Sequence, residues 1–302
     1  MADPQVTVGL PFRDGGPWLE LAVRSVLAQT FESWELLLVA DAARPEDVRR
    51  AATLAALDPR VRLVDDGRGL GLATRLNQIA HAARAPLLAR MDGDDVMHPR
   101  RLERQVRLLR DRPDADLACS PIVVVDEATR PVGLRGERGL GATVAEVLGG
   151  AVPPHPTVMA RTRWAREHPY LTGYDRAEDL ALWLTVSGQA VCAVSRLPLL
   201  FYREPRRVDW AKFQVSQRDR LRAIWRLARP RAVRPVIWWH ASRTLASLPA
   251  YRVAGWFGQQ RLLLGRRSRP LSAREHSWAV RVLGEVSAGL VGGRTGRVGR
   301  AG

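Results

Sequence analysis

Short apolar runs and stretches with helical periodicity alternate along the first hundred residues. The apolar runs occupy residues 6–10, 36–40, 61–64 and 85–89. Between the first two runs, apolar side chains recur three or four positions apart, at Leu19, Ala22, Val23, Val26 and Leu27. Unbroken apolar runs are typical of strands buried on both faces, and a 3.6-residue period is typical of amphipathic helices. The order β-α-β-α-β-α-β predicts an α/β fold with an open, mostly parallel sheet flanked by helices. A further strand is predicted over residues 116–125.

Acidic residues follow the fourth predicted strand, in the run Asp92-Gly93-Asp94-Asp95. Packing in a hydrophobic core does not explain three carboxylates in four residues, because each buried carboxylate costs several kcal/mol unless it is paired. Mg²⁺ and Mn²⁺ prefer carboxylate oxygens and leave positions open for substrate phosphates. The run therefore indicates a metal–diphosphate site, or else a polar turn ahead of a helix that starts at His98-Pro99.

The place of this run in the predicted sheet favours the site. Pro11, Asp41 and Asp92 all fall where a predicted strand ends. Open parallel sheets bind ligands beyond the carboxyl ends of their strands. We therefore expect these three residues at one edge of the sheet, facing a ligand.

A glycine-punctuated loop, Gly67-Arg68-Gly69-Leu70-Gly71, precedes the helix predicted over residues 72–84. Its spacing differs from a dinucleotide-binding fingerprint, and a P-loop is excluded because Lys212 is the only lysine of the chain. Two interpretations remain open. The loop approaches a phosphate, with Arg75 as a fixed positive charge in the following helix, or it is a flexible connector.

Two later segments carry further candidates. His155 stands among three prolines in residues 152–157, either beside a substrate or metal or as a polar residue of a rigid turn. Glu178 and Asp179 open a predicted helix, whose dipole favours carboxylates there by ~0.3–1 kcal/mol. The alternative is that one of the two is a catalytic base, ionised at neutral pH and poised over a cleft.

Charge divides the chain into two parts. The net charge of the whole chain is +16, and residues 201–302 hold 22 Arg and Lys against 5 Asp and Glu. Six of the ten tryptophans lie in this last third, where helices are predicted over residues 210–228, 235–248, 250–264 and 272–288. Arg-rich helices with interleaved Trp suit an anionic membrane surface. A helical subdomain with its Trp side chains packed inward is the alternative, and nucleic-acid binding is disfavoured.

Other features bear on the compartment. Cys119 and Cys192 lie in apolar runs without metal-ligand spacing, which predicts buried thiols in a reducing environment. The first residues lack the basic region of a signal peptide. No charge-free stretch approaches the ~20 apolar residues of a membrane-spanning helix. The expected location is the cytoplasm, with peripheral attachment at the inner face of the cell membrane through the basic helices.

The ordered set of motifs resembles a family-2 glycosyltransferase of the GT-A type over roughly residues 4–205. The acidic motif of that family resembles Arg90-Met91-Asp92-Gly93-Asp94-Asp95, with Pro99, Leu102 and Gln105 behind it. The other matching segments are the strand at residues 6–11, Ser25-Val26-Leu27-Ala28-Gln29-Thr30, the strand ending at Asp41, Gly69-Leu70 with Arg75 and Asn77, residues 155–159 and residues 178–184.

The resemblance implies inverting transfer of a sugar from a nucleotide-diphosphate donor to a hydroxyl of a glycan or lipid-linked acceptor. It implies a divalent metal, Mg²⁺ or Mn²⁺, and a role in cell-envelope polysaccharide biosynthesis. Asp179 would be the base, with Glu178 beside it. The implied donor residues are Pro11, Phe12, Arg13, Asp41, Arg75, Asp92 and Gly93. The implied metal ligands are Asp92, Asp94 and Asp95, and the implied neighbours of the acceptor are His155 and Trp183.

The sequence also departs from the family pattern. Ala40 replaces the first acid of the pair that ends in Asp41, Arg13 stands where Asn is usual, and no histidine follows Tyr202-Arg203. A non-catalytic nucleotide-sugar or polyanion-binding protein on the same fold therefore remains the alternative. The expected organisation is a catalytic domain at 1–205, a basic helical region at 206–291 and a disordered tail at 292–302.

Overall fold

A computed structural model of the chain describes residues 3–204, 209–228, 234–256 and 267–288. In chain order the strands are β1 (Val6–Phe12), β2 (Trp34–Ala40), β3 (Val61–Val64), β4 (Leu87–Arg90), β5 (Val96–Met97), β6 (Leu117–Cys119), β7 (Ile122–Val125), β8 (Pro131–Arg135), β9 (Met159–Arg161), β10 (Cys192–Val194) and β11 (Leu200–Arg203). The helices are α1 (Trp18–Leu27), α2 (Pro45–Ala55), α3 (Leu72–Ala82), α4 (Arg101–Asp111), α5 (Val144–Leu148), α6 (Thr162–Glu167), α7 (Glu178–Val186), α8 (Trp210–Ala223), α9 (Arg234–Trp256) and α10 (Ala273–Ala288). A short 3₁₀ turn covers His155–Thr157, and a π-helical turn, Ile224–Ala228, extends α8.

A seven-stranded sheet in the order β10-β6-β9-β4-β1-β2-β3 forms the centre of the fold. Its pairs are parallel except where β9 runs antiparallel between β4 and β6. Every residue of β1 and β2 is buried, as expected for strands covered on both faces. The predicted α/β architecture with a mostly parallel sheet is confirmed.

A second sheet of four strands, in the order β5-β11-β7-β8, was not predicted. The prediction of one strand over residues 116–125 is wrong, because β6 and β7 belong to different sheets. Pro121 stands between them and lacks the N–H that would continue the ladder. The chain therefore changes sheets at this point, and β5 brings the end of the acidic run into the second sheet.

Gly9 sets the distance between β1 and α3. A Cβ atom at this position would lie 2.3 Å from Cγ2 of Ile79, inside van der Waals contact. The absent side chain lets α3 lie directly on the central strand. This close packing places the loop before α3 near the carboxyl ends of β1 and β2.

The three last helices pack on the sheets and on α7. On α10, Ala279, Val282, Leu283 and Val286 cluster with apolar side chains of the second sheet. The apolar faces at the end of α8 and the start of α9 join a cluster that includes most of α7. These basic helices therefore share hydrophobic cores with the first 204 residues.

The predicted helix break at Pro249 is wrong, because α9 continues through this residue. A proline frees the carbonyl four residues earlier, at Leu245, and both residues are exposed. Water can bind the freed carbonyl on this solvent side, which makes the proline tolerable. The end of the predicted helix 250–264 and the predicted disordered tail lie outside the described residues.

Within the described ranges, no helix is both long and apolar enough to cross a membrane. The two cysteines lie on the neighbouring strands β6 and β10, with their Sγ atoms 3.3 Å apart, and both are free thiols.

Candidate active site

A cleft of about 620 Å³ opens at the carboxyl ends of β1 and β2. Five predicted donor-binding residues line it together: Pro11, Phe12, Arg13, Asp41 and Arg75. The opposite wall comes from the loop before α3, from residues 172–176 and from the start of α8. We call this the donor cleft.

Arg75 organises the wall of the donor cleft. Its side chain is fully buried, and its Nε donates to Asp41 Oδ1 over 3.1 Å. Its two terminal nitrogens donate to Asp66 over 3.0 and 2.7 Å, and they also donate to Gln78 and to the Arg68 carbonyl. The hydrogen bonds and the opposite charge of Arg75 lower the pKa of Asp66 to about 2. Arg75 therefore holds the loop wall of the cleft, and its expected place near the nucleotide or its phosphates stays a prediction.

Asp41 also holds the wall of the donor cleft, through its Oδ1 atom. Its Oδ2 atom makes no hydrogen bond with the described residues. Its Oδ1 accepts hydrogen bonds from the backbone N–H groups of Leu70 and Gly71, at 2.7 and 3.1 Å, as well as from Arg75. This holds the glycine-punctuated loop against β2. The loop is therefore a fixed wall of the cleft, which favours the phosphate-approach interpretation over that of a flexible connector.

The acidic run lies beside the donor cleft. A Cβ atom at Gly93 would meet Cβ of Phe12 at 3.5 Å, an ordinary contact that shows how near the run is to the cleft wall. The Asp94 side chain is exposed to solvent. Desolvation by the surrounding protein and the nearby charge of Asp92 nevertheless raise the pKa of its carboxyl to about 6. Asp92 accepts from the Arg90 guanidinium at 2.9 Å. A cation at Asp94 would relieve the repulsion between the two carboxylates.

Asp95 connects the acidic run to the second sheet. It is fully buried, and its Oδ1 accepts from the backbone N–H of Arg203 on β11 at 2.9 Å. Its Oδ2 has no hydrogen-bond partner in the described part of the chain. Burial raises the pKa of this carboxyl well above its usual range. Asp95 therefore joins the acidic run to the second sheet, and its expected role as a metal ligand stays a prediction.

No group of three or more His, Cys, Asp or Glu within the described ranges could hold a metal ion by itself. This fits Mg²⁺ and Mn²⁺ chemistry at a diphosphate, where one or two carboxylates suffice and phosphate oxygens and water complete the shell. Asp94 and Asp92 are the carboxylates predicted for this role, and the assignment stays a prediction. Glu204 does not replace the absent histidine, since both of its oxygens accept from Arg135, at 3.1 and 3.2 Å.

A buried hydrogen-bond chain connects the acidic run to the proline turn. Arg90 donates to Asp92 and also to Nδ1 of His155, while Nε2 of His155 donates to the Tyr170 hydroxyl over 2.7 Å. Burial and the charge of Arg90 lower the pKa of His155 well below its usual range. The imidazole is therefore neutral. Trp183, almost fully buried, packs edge-on against it at 5.8 Å between ring centroids.

Glu178 and Asp179 occupy the first turn of α7, as predicted. Oε1 of Glu178 lies 3.9 Å from His155 Nδ1, and the carboxyl is buried with Asp179 as its neighbour. Burial and the charge of Asp179 raise the pKa of Glu178 to about 7. Oδ1 of Asp179 accepts from the Leu180 N–H at 2.7 Å, and burial raises the pKa of Asp179 as well.

Asp179 lines a second hollow, of about 210 Å³, which we call the base hollow. Arg176 lines both this hollow and the donor cleft, so the two adjoin. Trp183 lies in its wall, and Arg220 of α8 lies opposite the acid-bearing helix. The predicted residues are thus divided between two neighbouring hollows, with Asp41 in the first and Asp179 in the second.

The helix behind the acidic run holds the run in place. Arg101, fully buried, donates to the Arg90 carbonyl and to Gln105 Oε1, both at 2.9 Å. Gln105 Nε2 donates to the carbonyls of Ala118 and Thr157, at 3.1 and 2.7 Å. These side chains link α4 to β4, β6 and the 3₁₀ turn, which explains their place in the motif.

The family model for Glycosyl transferase family 2 matches residues 7–167, which is more than half of the chain. The chain belongs to this family. Among curated relatives, the putative glycosyltransferase EpsE of Bacillus subtilis (strain 168) is 32% identical over 190 residues, covering 60% of this chain and 66% of EpsE. The amylovoran biosynthesis glycosyltransferase AmsE of Erwinia amylovora is 33% identical over 110 residues, covering 36% of this chain and 41% of AmsE. The family-2 chain thus spans less than two thirds of the length of either relative.

Solved structures share the fold. The mannosyltransferase PcManGT from Pyrobaculum calidifontis, in complex with GDP-Man and Mn²⁺, superimposes with a TM-score of 0.56 at 16% identity, covering 96% of this chain and 88% of that one. S. aureus TarS 1-349 in complex with UDP-GlcNAc gives a TM-score of 0.57 at 13% identity, covering 93% and 80%. These structures show that the chain has the GT-A fold.

Sequence reasoning assigned no role to several side chains of the site. Arg90 and Tyr170 connect the acidic run to His155, and Arg176 and Arg220 border the base hollow. Arg90 stood next to the acidic run, so its pairing with Asp92 had a signal in the sequence. Arg220 had none, because 46 of the 47 basic residues are arginines and only the packing of α8 distinguishes this one.

Proposed function

We propose that the protein transfers a sugar from a nucleotide-diphosphate sugar to an acceptor hydroxyl with inversion at the anomeric carbon. The observation that carries the proposal is the chain from Asp92 through Arg90 to His155, which lies 3.9 Å from Glu178. It brings the two acidic motifs, far apart in sequence, to the same buried Arg90–His155 pair. Solved neighbours complexed with UDP-GlcNAc and with GDP-Man support a nucleotide sugar as the donor.

The donor cleft binds the nucleotide. Pro11, Phe12 and Arg13 form one wall for the base and ribose, and the free oxygen of Asp41 accepts a hydrogen bond from the base. Asp92 and Gly93 border the ribose and diphosphate. Asp94, with Asp92, would hold the divalent cation suggested by the Mn²⁺ complex of a structural neighbour. When bound, the cation supplies positive charge that stabilises the leaving diphosphate.

Asp179 is the base of the reaction. Its carboxylate takes the proton of the acceptor hydroxyl while the hydroxyl oxygen attacks the anomeric carbon from the face opposite the diphosphate. The bond between the anomeric carbon and the phosphate oxygen breaks, and the diphosphate leaves with the electron pair. One displacement without a protein nucleophile inverts the configuration. Glu178 and neutral His155 position Asp179, while Trp183 forms the apolar floor beneath them.

We place the reaction in cell-envelope polysaccharide biosynthesis, with a glycan or lipid-linked acceptor. The name of AmsE, which assigns it to amylovoran biosynthesis, supports this. We further propose a cytoplasmic protein that binds the anionic inner face of the membrane through its basic helices. On α9, Trp238 and Trp239 are 62% and 61% exposed, as a headgroup-level contact requires.

A panel of nucleotide sugars tests the proposal. In the presence of Mn²⁺ the protein should release nucleoside diphosphate from at least one donor, and Asp94→Asn should lower this rate by about a hundredfold or more. Asp111→Asn is the matched control, because Asp111 is 56% exposed at the end of α4 and remote from both motifs. Donor binding without turnover across the panel would instead support the non-catalytic nucleotide-sugar-binding alternative.

A further inference from the structure

A third hollow, of about 510 Å³, adjoins the base hollow. The two share Arg220, Gln217 and the residues at the end of α5. Its remaining wall comes from one face of α9 and from Arg267. We call it the basic pocket, since Arg220, Arg243 and Arg267 all line it.

The charges of the basic pocket are largely uncompensated. No Asp or Glu occurs among the described residues that line it, and none of the residues outside the described ranges is acidic. Arg267 donates to the Tyr251 hydroxyl at 3.0 Å and lies 3.7 Å from Glu204, an acid already bound by Arg135. Glu204 therefore neutralises Arg267 only in part, because it also pairs with Arg135.

Arg220 is the most buried of the three. It is half-buried and makes no side-chain hydrogen bond or ion pair within the described part of the chain, where Asp179 supplies the only attractive charge that acts on it. Burial and the like charges of Arg243 and Arg267 lower the pKa of its guanidinium. Arg243 lies over the face of Trp239, at 5.9 Å from the ring centroid, and has no ion pair with another described residue. An isolated, partly buried cation of this kind is costly unless an anion binds it.

We propose that the basic pocket binds a phosphate group carried by the acceptor substrate. The term acceptor rests on the sugar transfer proposed above. Arginine forks match the oxygens of a phosphate, and three of them converge here. Since Arg220 borders both hollows, a phosphate in the basic pocket leaves the attached glycan hydroxyl beside Asp179. A phosphorylated glycan and a lipid-linked phosphate both offer this chemistry.

Calorimetric titration without any donor tests the pocket. Glycerol 3-phosphate represents a soluble phosphorylated acceptor, and dodecyl phosphate below its micelle concentration represents a lipid-linked one. Arg243→Gln and Arg267→Gln should each weaken binding of the preferred probe by about tenfold, as expected for loss of one charge-assisted contact. Both side chains are exposed, so the variants should fold. A preference for dodecyl phosphate identifies the lipid source, and a preference for glycerol 3-phosphate identifies the soluble one.

Arg281→Gln on α10 is the matched control, because Arg281 is an exposed arginine outside all three hollows. Its binding constants should equal those of the natural chain. The proposal that the basic pocket binds phosphate is overturned if Arg243→Gln and Arg267→Gln bind the probes as tightly as the natural chain does. It is also overturned if Arg281→Gln loses as much affinity as these two variants. Since no donor is present, either result leaves the sugar transfer itself standing. Failure of the donor panel would not change the titration.

Discussion

Glu178 and Asp179 are neighbours in the chain, yet α7 directs them to different surroundings. Glu178 faces the Arg90–His155 network, whereas Asp179 faces the base hollow. Each carboxylate disfavours ionisation of the other, so the pair binds a proton at higher pH than isolated acids do. The sequence could show only that two acids open a helix. Which of them borders the hollow depends on the helix rotation, which packing of Trp183 and Leu184 in the core fixes.

The acid pair yields a prediction about turnover and its pH dependence. Asp179→Asn should lower kcat by about a hundredfold or more, with donor affinity retained. In the natural protein, the acidic limb of turnover should lie at higher pH than a solvent-exposed aspartate would give, because burial raises the pKa of Asp179 and its protonated carboxyl cannot take the hydroxyl proton. Glu178→Gln should move this acidic limb to lower pH, because Asp179 then ionises without a charged neighbour.

Kinetics across the pH range check both variants. Thr185→Ser, further along the same helix, serves as the control and should keep the natural profile, since its hydroxyl bonds to the Ala181 carbonyl within the helix. Unchanged turnover in Asp179→Asn would remove its assignment as the base. An acidic limb that stays in place in Glu178→Gln would reduce Glu178 to a packing role.

Gln105 shows how a motif residue can act on structure alone. It satisfies two buried carbonyls and Arg101 at once. Gln105→Leu keeps most of the volume but leaves these groups unpaired, so the free energy of unfolding should fall by about 3 kcal/mol. Urea titration measures this. Gln189→Leu, at an exposed turn, should change the free energy by less than about 0.5 kcal/mol. Equal midpoints for the two variants would contradict the bracing role.

At the scale of elements, the sequence predicts what local periodicity determines. The buried runs of β1 and β2 and the helices between them follow from apolar spacing that each segment carries by itself. The second sheet does not, because β5, β7 and β11 are short and pair across large sequence separations. Only tertiary contacts select the partner of a two-residue strand such as Val96–Met97. The same limit applies to α9, where Thr244 and Tyr251, buried on either side of Pro249, hold the helix against the fold.

The packing of α10 on the second sheet predicts how substitutions in this helix change the stability of the protein. Leu283 is 7% exposed and clusters with apolar residues of the sheet, so Leu283→Ala should lower the free energy of unfolding by about 3 kcal/mol. Val280, 48% exposed on the same helix, provides the control, and Val280→Ala should leave the unfolding midpoint almost unchanged. Trp278 stacks on Phe201 at 6.1 Å and reports unfolding by fluorescence.

One cooperative unfolding transition is expected in the natural protein and in Leu283→Ala, because α10 and the second sheet share a hydrophobic core. A separate early transition of Trp278 in Leu283→Ala, with the far-ultraviolet midpoint unchanged, would show instead that α10 unfolds independently of the sheet.

For the whole molecule, the unequal charge distribution is the feature that sequence shows and fold explains. The basic helices pack their apolar faces into the cores of the catalytic region, so their arginines are displayed around its hollows. The alternative interpretation, in which the tryptophans of the last third pack inward, describes only some of them. Trp278 stacks within the fold, whereas Trp238 and Trp239 remain exposed. Both interpretations of the last third therefore describe some of its residues.

The exposed face of α9 carries the last prediction. Leu245 and Val253, 53% and 46% exposed, lie on the same helix as the two exposed tryptophans. Each basic residue near an anionic surface adds about 1 kcal/mol, and Trp enters the headgroup layer. The protein should therefore float with vesicles that contain phosphatidylserine at low salt, and the bound fraction should fall as salt rises. Replacing both tryptophans, Trp238→Ser with Trp239→Ser, should lower binding several-fold, whereas Val280→Ser should not. Absence of flotation at low salt would exclude the membrane as a partner.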